Sequence, residues 1–489
     1  MAVEHKYGLE LQTIEEIKGP LLIVKGIGRA RYNELVEVTL PDGRTVLGTV
    51  LESTREYALV QVFGDPQGLS KEARVRFTGE VIKIPVSEDV IGRIFNGSFK
   101  PLDGLPEIMG DEEREIFFSV INPAKRLPPS EFIQTGVSII DALFSLVRGQ
   151  KLPIFSEAGL PHNVLAAQIA RQATILKKGE EIREEFIVVF CAMGIKHEEY
   201  AYFRNEFEKT GALNRAVLIL NLAEDPVIER IIAPRIALTV AEYLAFELDY
   251  HVLVILTDMT AYAEAVRQVA IAREEVPARR GYPGWLYTDL ATIYERAGRV
   301  SGKRGSVTLM PILTMPAGDI THPVPDLSGY ITEGQIILSK ELYAKGIYPP
   351  VDVPPSLSRL MKSGIGPGKT REDHKYVADE LYRAYSEGLK ARDLARIVGT
   401  VGLSERERKY LEFAEVFERK FINQGIYENR PIDYTLDLAW EVLSVLPEDE
   451  LIRIPEDVKR KWHPKYRSCL LYTSPSPRDL STSRMPSSA

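Results

Sequence analysis

Residues 156–163 stand where a phosphate-binding loop would be expected, yet they lack the side chains that bind phosphate. A P-loop follows the pattern G-x-x-x-x-G-K-[S/T], in which backbone amides cradle the phosphates, the lysine reaches them and the hydroxyl residue binds Mg²⁺. This chain reads SEAGLPHN there, and the four pattern positions are held by Ser156, Pro161, His162 and Asn163. The segment therefore predicts the scaffold of a nucleotide enzyme without its phosphate-handling groups.

His162 cannot replace the lysine as a fixed cation, because an ordinary imidazole is mostly uncharged at neutral pH. No second His or Cys lies near it in the sequence to complete a metal site. We therefore interpret His162 as a structural histidine and predict no metal site of the chain's own.

A second motif, GIGPGKT at residues 364–370, ends in the Gly-Lys-Thr that the first loop lacks. The first glycine of the P-loop pattern would fall at Ser363, and no buried strand precedes it. Pro367 also removes a backbone donor from the loop. We interpret this motif as a mobile glycine loop that joins two domains.

Asp258 follows the apolar run at residues 252–256 and would lie at the tip of a buried strand. In nucleotide enzymes an acid at this point holds the magnesium shell. An acid there can equally cap the next helix, which we expect to begin near Ala261. The sequence leaves both interpretations open.

Arg359 follows a proline-rich segment, PPVDVPPSLS, at residues 349–358. Prolines make such a segment extended and stiff, which would fix the position of the arginine. A fixed arginine could meet the charge that develops on a phosphoryl group in another subunit's site. The alternative is a salt bridge within the chain, the commoner fate of a surface arginine.

Size and composition bound the class of protein. At 489 residues the chain should hold two to four domains, and 45% hydrophobic and 27% charged residues are ordinary for a globular protein. A net charge of -8 argues against a general nucleic-acid binder. No membrane span or signal peptide is evident, and two cysteines are too few for a disulfide framework, so we expect a cytosolic protein that reaches membranes only through partners.

The elements that must position these residues change in character along the chain. Alternating apolar and polar residues near the start predict an antiparallel β-barrel at 1–79. Uninterrupted apolar runs then alternate with helical stretches, such as 227–248 and 261–274, and predict a parallel α/β domain of the P-loop type at 80–370. These buried strands are expected at 152–155, 186–190, 217–220, 252–256 and 307–313. A helix at 164–176 should follow the first of them, with Leu165, Ile169, Ala173 and Leu176 on one face.

The remainder of the chain reads differently. Helical periodicity at 375–398, 404–422 and 434–446 predicts a C-terminal helical bundle at 371–467, and Ser404 with Glu407 should form a capping box. Residues 468–489 are rich in Ser, Pro and Thr, and we interpret them as a disordered or foreign tail.

Several long stretches together resemble one family. The segment PPVDVPPSLS is similar to the signature of the large head subunits of rotary ATPases. Four other stretches resemble the non-catalytic B subunits of the V-type and archaeal A-type machines, and they lie at 132–156, 256–267, 273–299 and 330–336. The resemblance runs from the barrel to about residue 467.

This resemblance implies a ring in which three B subunits alternate with three catalytic A subunits. It also implies central-stalk and peripheral-stalk partners and, indirectly, a membrane rotor that conducts ions, on the cytoplasmic face of a membrane. Catalytic subunits of the family carry Gly-Glu-Arg after the strand that follows the P-loop helix, whereas here Gly194 is followed by Ile195 and Lys196. The missing acid and the altered loop imply that this chain hydrolyses no ATP in its own site.

By the same resemblance, Arg359 falls on the arginine that reaches into the neighbouring catalytic site, and Tyr330 falls near that interface. The nucleotide, ATP or ADP with Mg²⁺, would then be shared with the A subunit and not be a cofactor of this chain alone. Two other functions remain open at this point. One is a self-sufficient P-loop ATPase that acts in protein export or RNA translocation, and the other is a ring spacer without chemistry.

Overall fold

The computed structural model describes residues 9–466, apart from 12–13, 20, 26–29, 64–67, 118–119, 178–179 and 183–185. The tail predicted at 468–489 lies outside the described residues. Within the described part, no helix combines the length and the apolar character that crossing a membrane requires.

The N-terminal part is an antiparallel β-barrel. In β4 every second residue is buried, so that Val36 and Val38 face a separate apolar core, as the alternating pattern predicts. Its strands pair in the order β1-β7-β4-β5-β6-β3-β2. They are β1 (Leu9–Leu11), β2 (Ile14–Lys18), β3 (Leu21–Lys25), β4 (Glu34–Thr39), β5 (Thr45–Ser53), β6 (Tyr57–Val62) and β7 (Arg74–Val81).

The central part is an α/β domain built on one large sheet. Its strands follow the order β23-β22-β14-β21-β19-β17-β18-β9, and all are parallel except β23, which pairs antiparallel with β22. The strands of this region are β8 (Lys83–Val86), β9 (Ile94–Asn96), β10 (Glu112–Glu115), β11 (Arg126–Leu127), β12 (Phe132–Gln134), β13 (Leu146–Val147), β14 (Ile154–Ser156), β15 (Thr174–Lys177), β16 (Glu180–Ile182), β17 (Phe186–Ile195), β18 (Ala216–Leu222), β19 (His251–Thr257), β20 (Gly298–Val300), β21 (Ser306–Thr314), β22 (Gly334–Leu338) and β23 (Val351–Ser358).

Helices cover both faces of this sheet, as its continuous apolar strands predict. Val188 of β17 packs into one core and its neighbour Val189 into the other, and both are fully buried. The helices of this region are α1 (Ser138–Leu143), α2 (His162–Gln172), α3 (His197–Thr210), α4 (Val227–Phe246), α5 (Met259–Ala272), α6 (Leu286–Tyr294), α7 (Pro323–Ile331), α8 (Lys340–Ala344) and α9 (Met361–Gly364).

The helix expected at 164–176 is shorter than predicted. It ends at Gln172, and residues 174–177 form β15, where Ile175 pairs with Ile133 of β12. Leu176 therefore lies in a strand and not on the helical face that was expected. Apolar periodicity alone cannot separate a short buried strand from the end of a helix, and here pairing with a distant strand decides the outcome.

The C-terminal part is helical, and no strand follows β23 among the described residues. Its helices are α10 (His374–Val398), α11 (Glu405–Val416), α12 (Ile432–Leu443) and α13 (Glu456–Trp462). The predicted capping box is confirmed, because Ser404 Oγ accepts from the Glu407 amide at 3.3 Å while Glu407 Oε2 accepts from the Ser404 amide at 2.8 Å. The helix expected to continue to residue 422 changes to a π-helical segment, Phe417–Ile422.

A buried polar contact joins the helical bundle to the α/β domain. Gln424 is 4% exposed; its Oε1 accepts from the Ser138 amide at 3.0 Å, and its Nε2 donates to the Gly136 carbonyl at 2.6 Å. The same Nε2 donates to the Glu428 carbonyl at 2.7 Å. Apolar side chains of α10 and α12 continue the core of the α/β domain around this contact. The two regions are thus fastened by both polar and apolar contacts.

Candidate functional site

The altered loop occupies the position expected of a phosphate-binding loop. It leaves β14 and enters α2. Ser156 is fully buried, and its Oγ lies 3.0 Å from Nδ1 of His162, so the first position of the pattern is bonded to the lysine position. The His162 amide donates to the Leu160 carbonyl at 2.9 Å. His162 is thus engaged within the loop, and the loop supplies no lysine ammonium.

Asn163, at the position of the magnesium-binding hydroxyl, is also engaged within the chain. Its Nδ2 donates to Oε1 of Glu199 at 2.7 Å. The other oxygen of Glu199 accepts from the Lys196 amide at 2.9 Å, at the start of α3. Glu199 lies four residues after Ile195 and was not found from the sequence, because its contact with Asn163 spans 36 positions in the chain.

Asp258 caps a helix. Its Oδ1 accepts from the amide of Thr260 at 2.7 Å and from that of Thr314 at 3.1 Å. Helix α5 accordingly begins at Met259, two residues before Ala261. The structure favours the capping interpretation, and the described residues contain no group of three or more His, Cys, Asp or Glu side chains arranged to hold a metal ion.

The GIGPGKT segment is a compact turn without the context of a P-loop. The short helix α9, and not a strand, precedes it. The Lys369 ammonium donates to the Ser363 carbonyl, and Thr370 Oγ1 accepts from the Gly366 amide at 2.9 Å. Both groups that would serve a phosphate site therefore form hydrogen bonds within the turn. The chain then continues into α10.

Arg359 lies directly after β23, on the outer edge of the large sheet. Its amide donates to the Glu333 carbonyl at 2.9 Å, which fixes the backbone. The exposed guanidinium donates a long hydrogen bond from Nη1 to the Thr332 carbonyl at 3.4 Å. Among the described residues it forms no ion pair with a carboxylate, so the intrachain salt bridge considered as an alternative is absent from that part of the chain. The backbone of Arg359 is therefore fixed, while its guanidinium is exposed to solvent.

Tyr330 lies near the same edge. It belongs to the last turn of α7, and the chain then passes through Thr332 and Glu333, whose carbonyls accept from Arg359. Its side chain is 74% exposed. Tyr330 and Arg359 are both exposed, and the residues that follow Tyr330 contact Arg359.

The strand that carries Arg359 contains a large bulge. Leu357 pairs with Gln335 and Asp352 with Ile337, so the residues 353–356 stand opposite one residue of β22. Three side chains hold the bulge, and they are Ser356, Gln335 and Tyr382. None was identified from the sequence, because Gln335 and Tyr382 approach the bulge from other elements. Bulges commonly redirect a side chain next to a functional site.

A barrel, a doubly covered parallel sheet with an altered phosphate loop, and a helical C-terminal region together define a nucleotide-binding class of multidomain protein. Residues 14–79 match the ATP synthase alpha/beta family beta-barrel domain, and residues 136–358 match the nucleotide-binding domain of the same family. Residues 363–463 match the C-terminal domain of V and A type ATP synthase.

The chain is 63% identical over 455 residues to the B subunit of the A-type ATP synthase from Thermofilum pendens, covering 93% of this chain and 98% of the relative. It is 60% identical over 460 residues to the B subunit of the A-type ATP synthase from Aeropyrum pernix, covering 94% and 98%. A solved structure of a unique ATP synthase subunit, NeqB from Nanoarcheaum equitans, aligns with a TM-score of 0.69 at 41% identity, covering 88% of this chain and all of that one. The chain belongs to the ATP synthase alpha/beta family, with the C-terminal domain of the V and A types.

Proposed function

We propose that this chain is the non-catalytic, regulatory B subunit of a rotary ATP synthase or ATPase of the V/A type. It alternates with catalytic A subunits in a ring of three and three, and it helps to couple ATP synthesis or hydrolysis to ion transport across a membrane. The names of relatives at 60–63% identity support this assignment, as does the match of three successive family domains.

The altered loop supports the absence of hydrolysis in the chain's own site. A P-loop needs a lysine for the phosphates and a hydroxyl for Mg²⁺. Here His162 is bonded to Ser156 and Asn163 to Glu199, and Ile195, which is 5% exposed, stands where the catalytic subunits of the family carry an acid. The same observations weigh against a self-sufficient ATPase of protein export or RNA translocation.

The single observation that carries the proposal is the open guanidinium of Arg359. It is exposed, makes one long hydrogen bond to the Thr332 carbonyl and has no carboxylate partner among the described residues, which is what is expected of an arginine that pairs with a group outside the chain. Placed beside the γ-phosphate of ATP held with Mg²⁺ by the neighbouring A subunit, it would stabilise the transition state by about 4–7 kcal/mol, equivalent to about 10³–10⁵ in kcat. Tyr330 would line the same interface.

The remaining assignments follow from this role. The barrel at 1–79 would join its neighbours in a crown, the domain at 80–370 would form the ring, and the bundle at 371–467 would face the central shaft. Peripheral-stalk subunits and, indirectly, the membrane rotor would complete the set of partners, on the cytoplasmic face of the membrane. The net charge of -8 favours no nucleic acid among them.

The test is a comparison of ATP hydrolysis by three preparations: the isolated chain, its complex with A subunits, and the same complex with Arg359→Ala. We expect no turnover by the isolated chain, turnover by the complex, and a loss of at least about 100-fold in kcat with the variant. Size-exclusion chromatography of each complex controls for assembly. Substantial turnover by the isolated chain would exclude the non-catalytic role, and an unaffected variant would leave only a spacer.

A further inference from the structure

The guanidinium of Arg359 needs a second restraint, because the contacts described so far fix its backbone but hold its side chain only weakly. Ser358, the preceding residue, is anchored through its Oγ to Gln150 Nε2 at 3.0 Å and to the Ser145 carbonyl at 3.1 Å. Within the part of the chain that the structure describes, the long arginine side chain makes one hydrogen bond, at 3.4 Å. Without more support the arginine side chain would sample many rotamers. Fixing it in one of them would cost conformational entropy when the charge of a phosphoryl group develops.

The second restraint is the wall of the bulge. Arg359 lines a pocket of about 280 Å³ together with Pro354, Pro355, Leu357 and Tyr382. The two prolines cannot donate hydrogen bonds to β22, so side chains must hold this wall through its carbonyl groups. Gln335 Nε2 donates to the Pro355 carbonyl at 3.0 Å, and the Tyr382 hydroxyl donates to the Pro354 carbonyl at 3.1 Å.

Tyr382 differs from the other groups that hold the bulge. Gln335 and Ser356 belong to β22 and β23 themselves, whereas Tyr382 belongs to α10, the long first helix of the C-terminal bundle. Its hydroxyl bond therefore ties the wall beside Arg359 to a helix of another domain. A small displacement of α10 would move the Pro354 carbonyl and change the space in which the guanidinium can lie.

We propose that Tyr382 is a positioning residue for Arg359: its bond to Pro354 braces the bulge, orients the guanidinium and makes that orientation depend on the position of the helical bundle. This inference rests on the proposed function, since it concerns the arginine that serves the neighbouring A subunit. It adds a route by which the bundle acts on chemistry in the next subunit.

The test uses the assembled complex of this chain with A subunits. Tyr382→Phe keeps the ring and removes only the hydroxyl, and it should lower kcat by about three- to tenfold, the effect of one modest hydrogen bond, with KM changed by less than about twofold. Gln335→Met, which removes the other wall contact at similar volume, should act in the same direction. Tyr376→Phe is the matched control, because Tyr376 lies on the same helix and its hydroxyl has no hydrogen bond within the described residues.

A double variant separates positioning from a general structural effect. In single-turnover reactions with the complex in excess, Tyr382→Phe should cause no further loss when Arg359→Ala is already present. An equal loss in both backgrounds would overturn the inference, and so would a wild-type rate for Tyr382→Phe alongside a slow Arg359→Ala complex. A wild-type rate for Arg359→Ala would instead refute the proposed function itself.

Discussion

The contact made by Gln424 predicts how firmly the helical bundle is fastened to the α/β domain. Removing its side chain with Gln424→Ala leaves two of its three partners satisfied, since the Gly136 carbonyl also accepts from the Arg430 amide at 3.0 Å and the Glu428 carbonyl from Gln168 Nε2 at 3.1 Å. The amide of Ser138, a fully buried residue, loses its acceptor at 3.0 Å. One orphaned buried donor costs about 1–3 kcal/mol, and the cavity adds to this cost, so we expect a loss of about 2–4 kcal/mol.

Hydrogen exchange measures this loss locally, which matters because a chain of several domains need not unfold in one step. Protection of the amides in α1 and at 424–436 should fall by about 30- to 1000-fold in Gln424→Ala, since each 1.4 kcal/mol is a factor of ten. Gln424→Met fills most of the cavity but still leaves the Ser138 amide without its acceptor. It should therefore recover only the part of the lost stability that comes from packing. Lys375→Ala, at an exposed position on α10, should change protection little. Changes below about threefold in both Gln424 variants would show that this contact does not fasten the two regions.

The described contacts support two more predictions. Burial lowers the pKa of His374 to about 4 from the usual 6.5, so the neutral ring contributes stability above pH 6.5 that is lost as pH falls toward 4, up to about 3 kcal/mol. Protection of the amides in α10 should therefore fall between those pH values more steeply in the native chain than in His374→Asn. An equal pH dependence of protection in the two chains would contradict the role given to His374. Restoring the lysine and the hydroxyl with His162→Lys and Asn163→Thr should still give no hydrolysis by the isolated chain, because Ser156 and Pro161 keep the loop altered and no acid replaces Ile195; measurable turnover would show that the two missing side chains alone prevent catalysis.

Local patterns predicted the framework because these elements depend on burial of their own residues. Continuous apolar runs predicted β17, β18, β19 and β21, and the alternating residues near the start of the chain predicted the barrel. The end of α2 was wrong because residues 174–177 pair with β12, a contact that no local pattern contains. The change to a π-helix at Phe417 was missed because helical periodicity does not distinguish the two forms.

The candidate site was likewise predictable from the sequence only in part. The residue types of the altered loop showed what was missing, and the proline-rich segment indicated that Arg359 follows an extended strand. What the loop forms in place of a phosphate site depends on Glu199, which approaches Asn163 from another helix. The brace on Arg359 depends on Tyr382, which lies 28 positions from Pro354. Such contacts arise from the packing of separate elements and leave no spacing signal in the sequence.

Binding of a transition-state mimic by the complex probes the role of Arg359 without the steps of turnover. ADP with aluminium fluoride places a phosphoryl-like group in the catalytic site, and an arginine supplied in trans should stabilise that group far more than it stabilises ADP alone. We predict that Arg359→Ala in the complex with A subunits weakens retention of ADP with aluminium fluoride by at least about 100-fold and leaves the Kd of ADP within about threefold. Equal retention by the native and variant complexes would contradict the role proposed for this chain.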